Sequence, residues 1–307
     1  MSMAEELTMK PLTFVVATNN RKTLERNFLA SPCVREPHAH QVLLQERFES
    51  AAAAYNDAIA RSKNDLIVFV HQDILLPQGW LSDLQLALES LEATDPIWGV
   101  LGCYGQNRQN EGRGYLYDCG LGIIGAPFEE PQPVQTLDEI VLILRKSSGL
   151  RFDGAIPDFH MYGADICMTA AQRGMTSYAI SAFCIHNKHT RKPLFRFLKA
   201  FYDCYWPLKR KWKDSLPIYT TCTQVTRFDH QLYWTVIWET YLRYIRERKL
   251  GEAHVSDTQT LLDRVEAALQ RRQPAEQHNG KASALFGSMP VEESRELAHH
   301  DATRRAR

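Results

Sequence analysis

The chain contains 307 residues, of which 44% are hydrophobic and 23% are charged. This composition is typical of a globular protein, and the length allows one large domain or a catalytic domain with an appendage. The 36 basic residues balance 36 acidic residues, which argues against binding to nucleic acid through overall charge. No apolar run approaches the ~20 residues that cross a bilayer.

Two further features bear on the cellular compartment. The first ten residues lack the apolar core of a signal peptide. The seven cysteines are scattered and form no C-x-x-C pair, so neither a disulfide framework nor a zinc cluster is indicated. We therefore expect a cytoplasmic protein with reduced thiols.

Strands and helices alternate through the first hundred residues. The segment 66–71 is a continuous apolar run, as in strands that are buried on both faces of a parallel sheet. The segment 49–61 is rich in alanine, and 78–93 carries four leucines on one helical stripe. With further strands predicted at 12–17, 41–45 and 97–103, this order indicates a doubly wound α/β sheet.

Polar residues follow two of these strands. Thr18, Asn19 and Asn20 come after the first, and His71, Gln72 and Asp73 come after the third. Ligands bind at the carboxyl ends of the strands in doubly wound sheets, so both groups are candidates for a binding site. A carboxylate in that position can hold a divalent cation, although an aspartate after a strand is more often a turn former.

The second hundred residues are less regular. The segment 104–126 is rich in glycine and is predicted to be a mobile loop with a hairpin that serves as a lid or acceptor loop. Further strands are predicted at 134–145 and 177–185, and the second of these ends at His186. A helix over 164–173 is closed by Gly174.

The composition changes after residue 190. The segment 188–213 combines nine basic residues with seven aromatic ones, and a second aromatic helix is predicted over 228–248. A short helix is predicted at 259–271, and the chain from Gln273 has a disordered composition. We therefore divide the chain into a domain at 1–190, an aromatic and basic helical extension at 191–250, and a mostly disordered tail at 251–307.

The helix within 188–213 has two interpretations. Its apolar residues fall on one stripe: Leu194, Leu198, Phe201, Tyr205, Leu208 and Trp212. The stripe either packs against the sheet, leaving a solvated basic face, or contacts an anionic membrane and makes the protein peripheral on the inner face of the plasma membrane. Pro207 interrupts the stripe, which favours packing.

Four segments together resemble a known enzyme family. Residues 65–81, DLIVFVHQDILLPQGWL, resemble the strand and acidic D-x-D element of the GT-A glycosyltransferases, in particular the bacterial family 2-like group with an H-Q-D form of that element. The upstream AAAAYNDAIARSKND resembles the helix with an Asn-x-Gly-Ile element, matched at Asn56 and Ile59. The downstream LRFDGAIPDFHMYGADICMTAAQRGMTSYAI and FCIHN resemble the second signature and the late strand with a metal-binding histidine.

This resemblance covers about residues 12–190. It implies a GT-A-like, mixed and mostly parallel sheet flanked by helices. It also implies sugar transfer from a nucleotide-sugar donor to a hydroxyl acceptor, either a glycan or a lipid-linked precursor, in capsule or lipopolysaccharide synthesis. No nucleic acid is expected as a partner.

The resemblance also assigns roles to individual residues. Asp73 and His186 would hold Mn²⁺ or Mg²⁺ on the donor diphosphate, and Asp165 would act as the general base of an inverting displacement. Residues of the donor site would be Thr18, Asn19, Asn20, Glu46, Asn56, His71 and Gln72.

Two departures from the family pattern keep another function open. His71 stands where the first acid of the D-x-D element is expected, and Ala164 precedes Asp165 where the family often has a second acid. A protein that keeps the fold and binds nucleotide sugar or glycan without turnover would tolerate both changes. A nucleotidyltransferase is a weaker alternative, because the loop after the first strand, ATNNRK, contains no glycine.

Overall fold

The computed structural model describes residues 10–36, 39–188, 194–230 and 255–276, together with Leu232, Tyr233, Ile237 and Tyr241. The helices in this part of the chain are α1 (Arg21–Arg26), α2 (Pro32–Arg35), α3 (Ala51–Arg61), α4 (Trp80–Thr94), α5 (Tyr162–Gln172), α6 (Leu194–Lys211) and α7 (Thr258–Glu276). The strands are β1 (Thr13–Thr18), β2 (Gln41–Glu46), β3 (Leu66–Val70), β4 (Ile74–Leu75), β5 (Leu101–Gly102), β6 (Tyr104–Gln106), β7 (Gly112–Asp118), β8 (Gly122–Gly125), β9 (Gln132–Val134), β10 (Thr136–Leu137), β11 (Val141–Arg145), β12 (Ser177–Ala179), β13 (Cys184–His186), β14 (Ile218–Tyr219) and β15 (Gln224–Val225).

A seven-stranded mixed sheet forms the centre of the fold, in the order β2-β1-β3-β11-β5-β12-β9. The β1–β2, β1–β3 and β5–β12 pairs are parallel, whereas β11 runs antiparallel to both of its neighbours and β9 runs antiparallel to β12. The expected α/β fold with a mixed sheet flanked by helices is therefore confirmed. Parallel and antiparallel pairs are equally frequent in this sheet.

Strand β3 shows why helices cover both faces. Its side chains alternate between two cores: Val68 and Val70 pack on one side with α4, while Ile67 and Phe69 pack on the other with α3 and α5. Because successive strand residues point to opposite faces, a continuous apolar run requires a helix on each side of the sheet. The burial of this strand on both faces agrees with the sequence interpretation.

A second sheet, in the order β10-β6-β7-β13-β4 with β8 paired to β7, is built largely from the glycine-rich segment. The predicted mobile loop at 104–126 therefore consists of paired strands. Two glycines explain this composition. A Cβ on Gly114 would lie 2.2 Å from the carbonyl oxygen of Cys103, and one on Gly125 would lie 1.8 Å from that of Gly114. Glycine is needed here because the strands approach too closely for a side chain.

The predicted strand at 177–185 is divided between the two sheets. Its first part is β12, which pairs with β5 in the central sheet, and its last part is β13, which pairs with β7 and β4 in the second sheet. The predicted strand at 134–145 is likewise divided into β9, β10 and β11. Apolar content alone could not show these divisions, because β10, β11, β12 and β13 are all largely buried.

The apolar stripe of α6 packs against the protein. Phe201, Tyr205, Leu208 and Trp212 are buried in one cluster with Met161, Ala164 and Met168 of the α5 region. This contact decides between the two sequence interpretations of the stripe, since it leaves these side chains unavailable to a membrane. Most of the predicted helix at 228–248, including Trp234 and Tyr244, lies outside the described residues.

Helix α7 belongs to the domain and is longer than the predicted 259–271 helix. Leu261 and Val265 pack with Leu75, Tyr117 and Ile185 of the second sheet. The preceding Val255 exchanges hydrogen bonds with the side chain of Asn187, directly after β13. Residues 255–276 thus contribute to the layer that carries His186, which the division of the chain at residue 250 did not anticipate. The predicted disorder of residues 277–307 lies outside the described residues.

Among the described residues, no helix combines the length and the apolarity that a membrane crossing requires.

Candidate metal centre

Strand register places His186 at the centre of the site. Strand β13 lies between β7 and β4, and His186 is the register partner of Asp118 on one side and of Ile74 on the other. Asp73 directly precedes Ile74, and its carbonyl accepts a hydrogen bond from the N–H of Asn187 at 2.8 Å. The pairing of these short strands therefore brings two carboxylates to one imidazole.

The ring of His186 contacts both carboxylates. Its Nδ1 lies 2.9 Å from Oδ2 of Asp118, and its Nε2 lies 3.6 Å from Oδ2 of Asp73. The first distance is that of a hydrogen bond, and the second is longer. Two ligand atoms that are each about 2.1 Å from one cation lie about 3–3.5 Å apart. The separation of His186 and Asp73 is therefore close to that of two ligands of a single ion.

His71 completes a group that could hold a cation. Ligand atoms of His71, Asp73 and His186 all lie within 4.8 Å of one another, and all three residues are half-buried. Two imidazole nitrogens and one carboxylate oxygen suit Mn²⁺ and other divalent transition metals better than Ca²⁺. A histidine in the first position of the H-Q-D segment is thus compatible with a metal site. The residues fit a divalent cation, and the mixed nitrogen and oxygen set distinguishes them from an all-carboxylate site.

The charges of the cluster stabilise one another. Burial alone would raise the pKa of Asp73, but the neighbouring His186 and His71 lower that pKa to about 2. Burial alone would lower the pKa of His186, but Asp73 and Asp118 raise it to about 10. The pKa of Asp118 is also lowered, since His186, the N–H of Gly120 and Lys188 together outweigh its burial. Both carboxylates are therefore ionised at neutral pH, and His186 is protonated between them. A cation that bound Nε2 of His186 would have to displace its proton.

Tyr162 sets the orientation of His71. The Tyr162 hydroxyl donates to the carbonyl of Glu139 at 3.2 Å and lies 2.8 Å from Nε2 of His71. A hydroxyl that donates its one proton to Glu139 can accept from His71 in the tautomer that carries its proton on Nε2. In that tautomer the lone pair is on Nδ1, which is the nitrogen that can ligate a metal.

Gln72 joins the two polar segments that follow β1 and β3. Its Oε1 accepts from the Thr18 hydroxyl at 2.8 Å, from the Asn19 N–H at 3.2 Å and from the Asn20 N–H at 3.0 Å. Its Nε2 donates to Oδ1 of Asn19 at 2.9 Å. The parallel pairing of β1 and β3 brings these segments to one edge, as the sequence analysis expected. Glu46 ends β2 as the register partner of Thr18 and is exposed at that edge.

Two expected site residues have other contacts. The side chain of Asn56 donates to the carbonyl of Phe152 at 2.8 Å and accepts from its N–H at 3.0 Å, which ties α3 to the segment before α5. Asp165 is buried in the first turn of α5, and its oxygens bind Nζ of Lys211 and Nε1 of Trp212, each at 2.8 Å. Burial raises the pKa of Asp165 although Lys211 and Trp212 oppose this. Asp165 thus joins α5 to the end of α6.

Sequence reasoning missed Asp118, Tyr162 and Glu139. The first two contact the histidines of the cluster, and Glu139 accepts from the N–H of Gly163 at 3.2 Å at the start of α5. Burial, reinforced by Asp138, raises the pKa of Glu139 to about 8. Two signals were available in the sequence. Asp118 ends the segment 112–118, and the adjacent acids Asp138 and Glu139 precede the apolar run 141–145. They could not be assigned because the strand pairing was unknown.

Comparisons with known proteins give no family. No family model matches the chain. A curated protein from Fuscovulum blasticum, named "ATP synthase subunits region ORF 6", is 30% identical over 138 residues, which are 43% of this chain and 55% of the relative. The match therefore spans about half the length of that relative, whose name describes no activity.

Solved structures show a distant likeness. The mannosyltransferase PcManGT from Pyrobaculum calidifontis, in complex with GDP-Man and Mn²⁺, is 14% identical with a TM-score of 0.45, and the match covers 96% of this chain and 81% of that chain. A197 from STIV is 12% identical with a TM-score of 0.35, covering 56% of this chain and 83% of that chain. At these TM-scores the likeness supports no inference about activity.

Proposed function

We propose that the protein is a metal-assisted glycosyltransferase that moves a sugar from a nucleotide-sugar donor to a hydroxyl acceptor. The observation that carries this proposal is the cluster of His71, Asp73 and His186 beside the segment Thr18–Asn20. Gln72 holds that segment and the cluster together. A cation site next to a polar strand edge is what a nucleoside diphosphate requires.

Each part of the site has a role in this reaction. Asp73, His71 and His186 would hold Mn²⁺ or Mg²⁺, and the cation would stabilise the charge of the leaving diphosphate. Thr18, Asn19 and Glu46 would contact the base or the ribose. Lys188, which is exposed two residues after His186, adds a positive charge on the same side.

Asp165 is the proposed general base, and its present hydrogen bonds limit how it can accept a proton. To accept the acceptor's proton, its carboxylate must exchange Lys211 for the acceptor hydroxyl, because both oxygens are now bonded. Glu139 is a second candidate, because a base is most effective when its pKa lies near the working pH, and the pKa of Glu139 is about 8. Inversion at the sugar follows from direct displacement with either base.

The two bases can be distinguished by substitution. Asp165→Asn should abolish transfer while donor binding persists. Asp153→Asn is the matched control, since Asp153 also binds Lys211 at 2.8 Å and its loss breaks an ion pair of the same lysine. Transfer that survives Asp165→Asn and disappears in Glu139→Gln would reassign the base to Glu139.

We further propose that the acceptor is a bacterial surface polysaccharide or its glycolipid precursor. This rests on the resemblance of the H-Q-D segment. Incubation with UDP-, GDP- and CMP-sugars, Mn²⁺ and glycan or lipid-linked acceptors should give a product and a free nucleotide. Asp73→Asn should give neither, whereas the exposed control Asp263→Asn should behave as the unsubstituted protein. Tight donor binding without any released nucleotide would instead identify a binding protein that keeps the fold.

A further inference from the structure

The outer side of α6 carries a surface distinct from the metal centre. The side chains opposite the buried stripe follow one another at helical spacing, and Lys213 continues this row in the turn after the helix. We call these residues the α6 outer face: Arg196, Lys199, Asp203, Trp206, Arg210 and Lys213. All six are exposed. Asp203 is bonded to Lys199 at 2.6 Å, so this acid offsets one of the four basic residues, and the face keeps a net positive charge.

Exposed apolar side chains are concentrated beside this face. Seven large hydrophobic side chains are exposed in the described part of the chain, and five of them lie between 206 and 241. These five are Trp206 at 36% exposure, Phe228 at 65%, Tyr233 at 49%, Ile237 at 53% and Tyr241 at 50%. Tyr233, Ile237 and Tyr241 are each helical and exposed, and they are four residues apart in the sequence. A clustered apolar patch of this kind marks an interaction site more often than scattered residues do.

Contacts within the protein place these residues together. Nζ of Lys209 lies 5.8 Å from the centre of the Trp206 ring and donates to the carbonyl of Arg227 at 3.2 Å, which brings Phe228 next to α6. The ring centres of Tyr202 and Tyr233 are 6.2 Å apart, which places Tyr233 against the same helix. The patch therefore adjoins the basic residues of the α6 outer face.

We propose that this surface docks on an anionic lipid bilayer. Tryptophan and tyrosine favour the interface between lipid and water, and arginine and lysine are attracted to anionic headgroups. A protein partner fits less well, because the centres of protein interfaces are depleted of lysine. The proposed docking surface consists of the α6 outer face with Phe228, Tyr233, Ile237 and Tyr241. It replaces the buried stripe of α6 as the membrane contact, and it does not depend on the transfer reaction.

Vesicle cosedimentation of the full chain tests this inference without nucleotide or metal. The protein should sediment with vesicles of phosphatidylcholine and phosphatidylglycerol, should remain in solution with phosphatidylcholine alone, and should be released by salt. The double substitution Arg210→Gln and Lys213→Gln should weaken partitioning at least about tenfold, and Trp206→Ala with Phe228→Ala should weaken it similarly. Two controls should leave vesicle binding unchanged. The control for the basic pair is Arg21→Gln with Lys22→Gln on α1, and the control for the apolar pair is Leu86→Ala on α4.

Several results would overturn the proposal. One is failure of the protein to sediment with anionic vesicles, and another is equal binding of the protein to both lipid mixtures. A third is a loss of vesicle binding in the control variants that is as large as the loss in the variants of the docking surface. Light scattering of the protein alone provides a further test. If the protein forms a dimer that Trp206→Ala dissociates, the surface is an interface between two copies. Melting curves of each variant establish that the substituted proteins are folded. Nucleotide binding is measured separately, so failure of the docking proposal would leave the proposed transfer reaction intact.

Discussion

Nδ1 of His186 lies 2.9 Å from Oδ2 of Asp118, while Nε2 of the same ring faces Asp73. A carboxylate that accepts from one ring nitrogen of a histidine fixes the tautomer and leaves the other nitrogen for a metal. Asp118 therefore has the position of a residue that orients a ligand, and it ends a strand that is adjacent to His186 only in the folded protein.

The first prediction concerns this orientation. Asp118→Asn should weaken Mn²⁺ binding about 10–100-fold, the usual effect of removing such a partner, while the protein remains folded. Titration of Mn²⁺ by calorimetry measures the effect. Asp263→Asn, an exposed carboxylate on α7, is the control. Unchanged Mn²⁺ affinity in Asp118→Asn would show that the hydrogen bond to His186 has no part in metal binding.

The second prediction concerns His71. Tyr162→Phe removes the hydroxyl that accepts from Nε2, so the tautomer with a lone pair on Nδ1 is no longer favoured. We expect Mn²⁺ affinity to fall about tenfold. Tyr178→Phe is a matched control, because it removes a tyrosine hydroxyl that donates to Asp95 at 2.9 Å. If both variants bind Mn²⁺ as the unsubstituted protein does, Tyr162 has only a structural role.

The third prediction concerns the link between the two polar segments. Gln72→Ala leaves the N–H groups of Asn19 and Asn20 and the Thr18 hydroxyl without their common acceptor, at a cost of about 1–2 kcal/mol since the group is partly solvated. Nucleotide affinity should fall more than Mn²⁺ affinity, because the substitution loosens the segment proposed to contact the nucleoside. Parallel titrations with nucleotide and with Mn²⁺ separate the two. Equal losses would place Gln72 in the metal site instead.

The fourth prediction concerns pH. The pKa of Glu139 is about 8 in the folded protein and about 4.3 in an unfolded chain. The folded state therefore retains a proton that the unfolded state loses, and the free energy of unfolding contributed by this group falls as pH rises from about 5 to about 8. Melting temperatures across this range should decline less steeply in Glu139→Gln than in the unsubstituted protein. Identical slopes would contradict the assignment.

The sequence predicted the parts of the site that depend on local pattern and on parallel pairing. The apolar run preceding each group was sufficient to place residues 18–20 and 71–73 at the carboxyl ends of strands. The two groups meet because β1 and β3 are parallel neighbours. His71 was expected in the donor site, with Asp73 and His186 as the metal ligands. It lies instead within reach of Asp73 and His186.

The remaining parts depend on contacts that the sequence does not encode locally. Strand β11 is antiparallel to β3, so Arg145 lies opposite Leu66, at the far edge from the metal centre, and binds the carbonyl of Trp98 at 2.7 Å. Arg145 therefore lies outside the candidate site. The burial of Asp165 likewise follows from the packing of α6 on α5, which the resemblance of residues 12–190 did not include.

The measurement that tests the central claim most directly is the melting temperature with UDP, GDP or CMP, with and without Mn²⁺. It compares the unsubstituted protein with Asp73→Ala and with Asp263→Ala. A ligand that binds only the native state raises the melting temperature. We predict that one nucleotide stabilises the protein only when Mn²⁺ is present, and that Asp73→Ala alone abolishes the shift. If no nucleotide shifts the unsubstituted protein under any of these conditions, or if Asp73→Ala retains the full shift, the metal-assisted nucleotide-sugar site is contradicted.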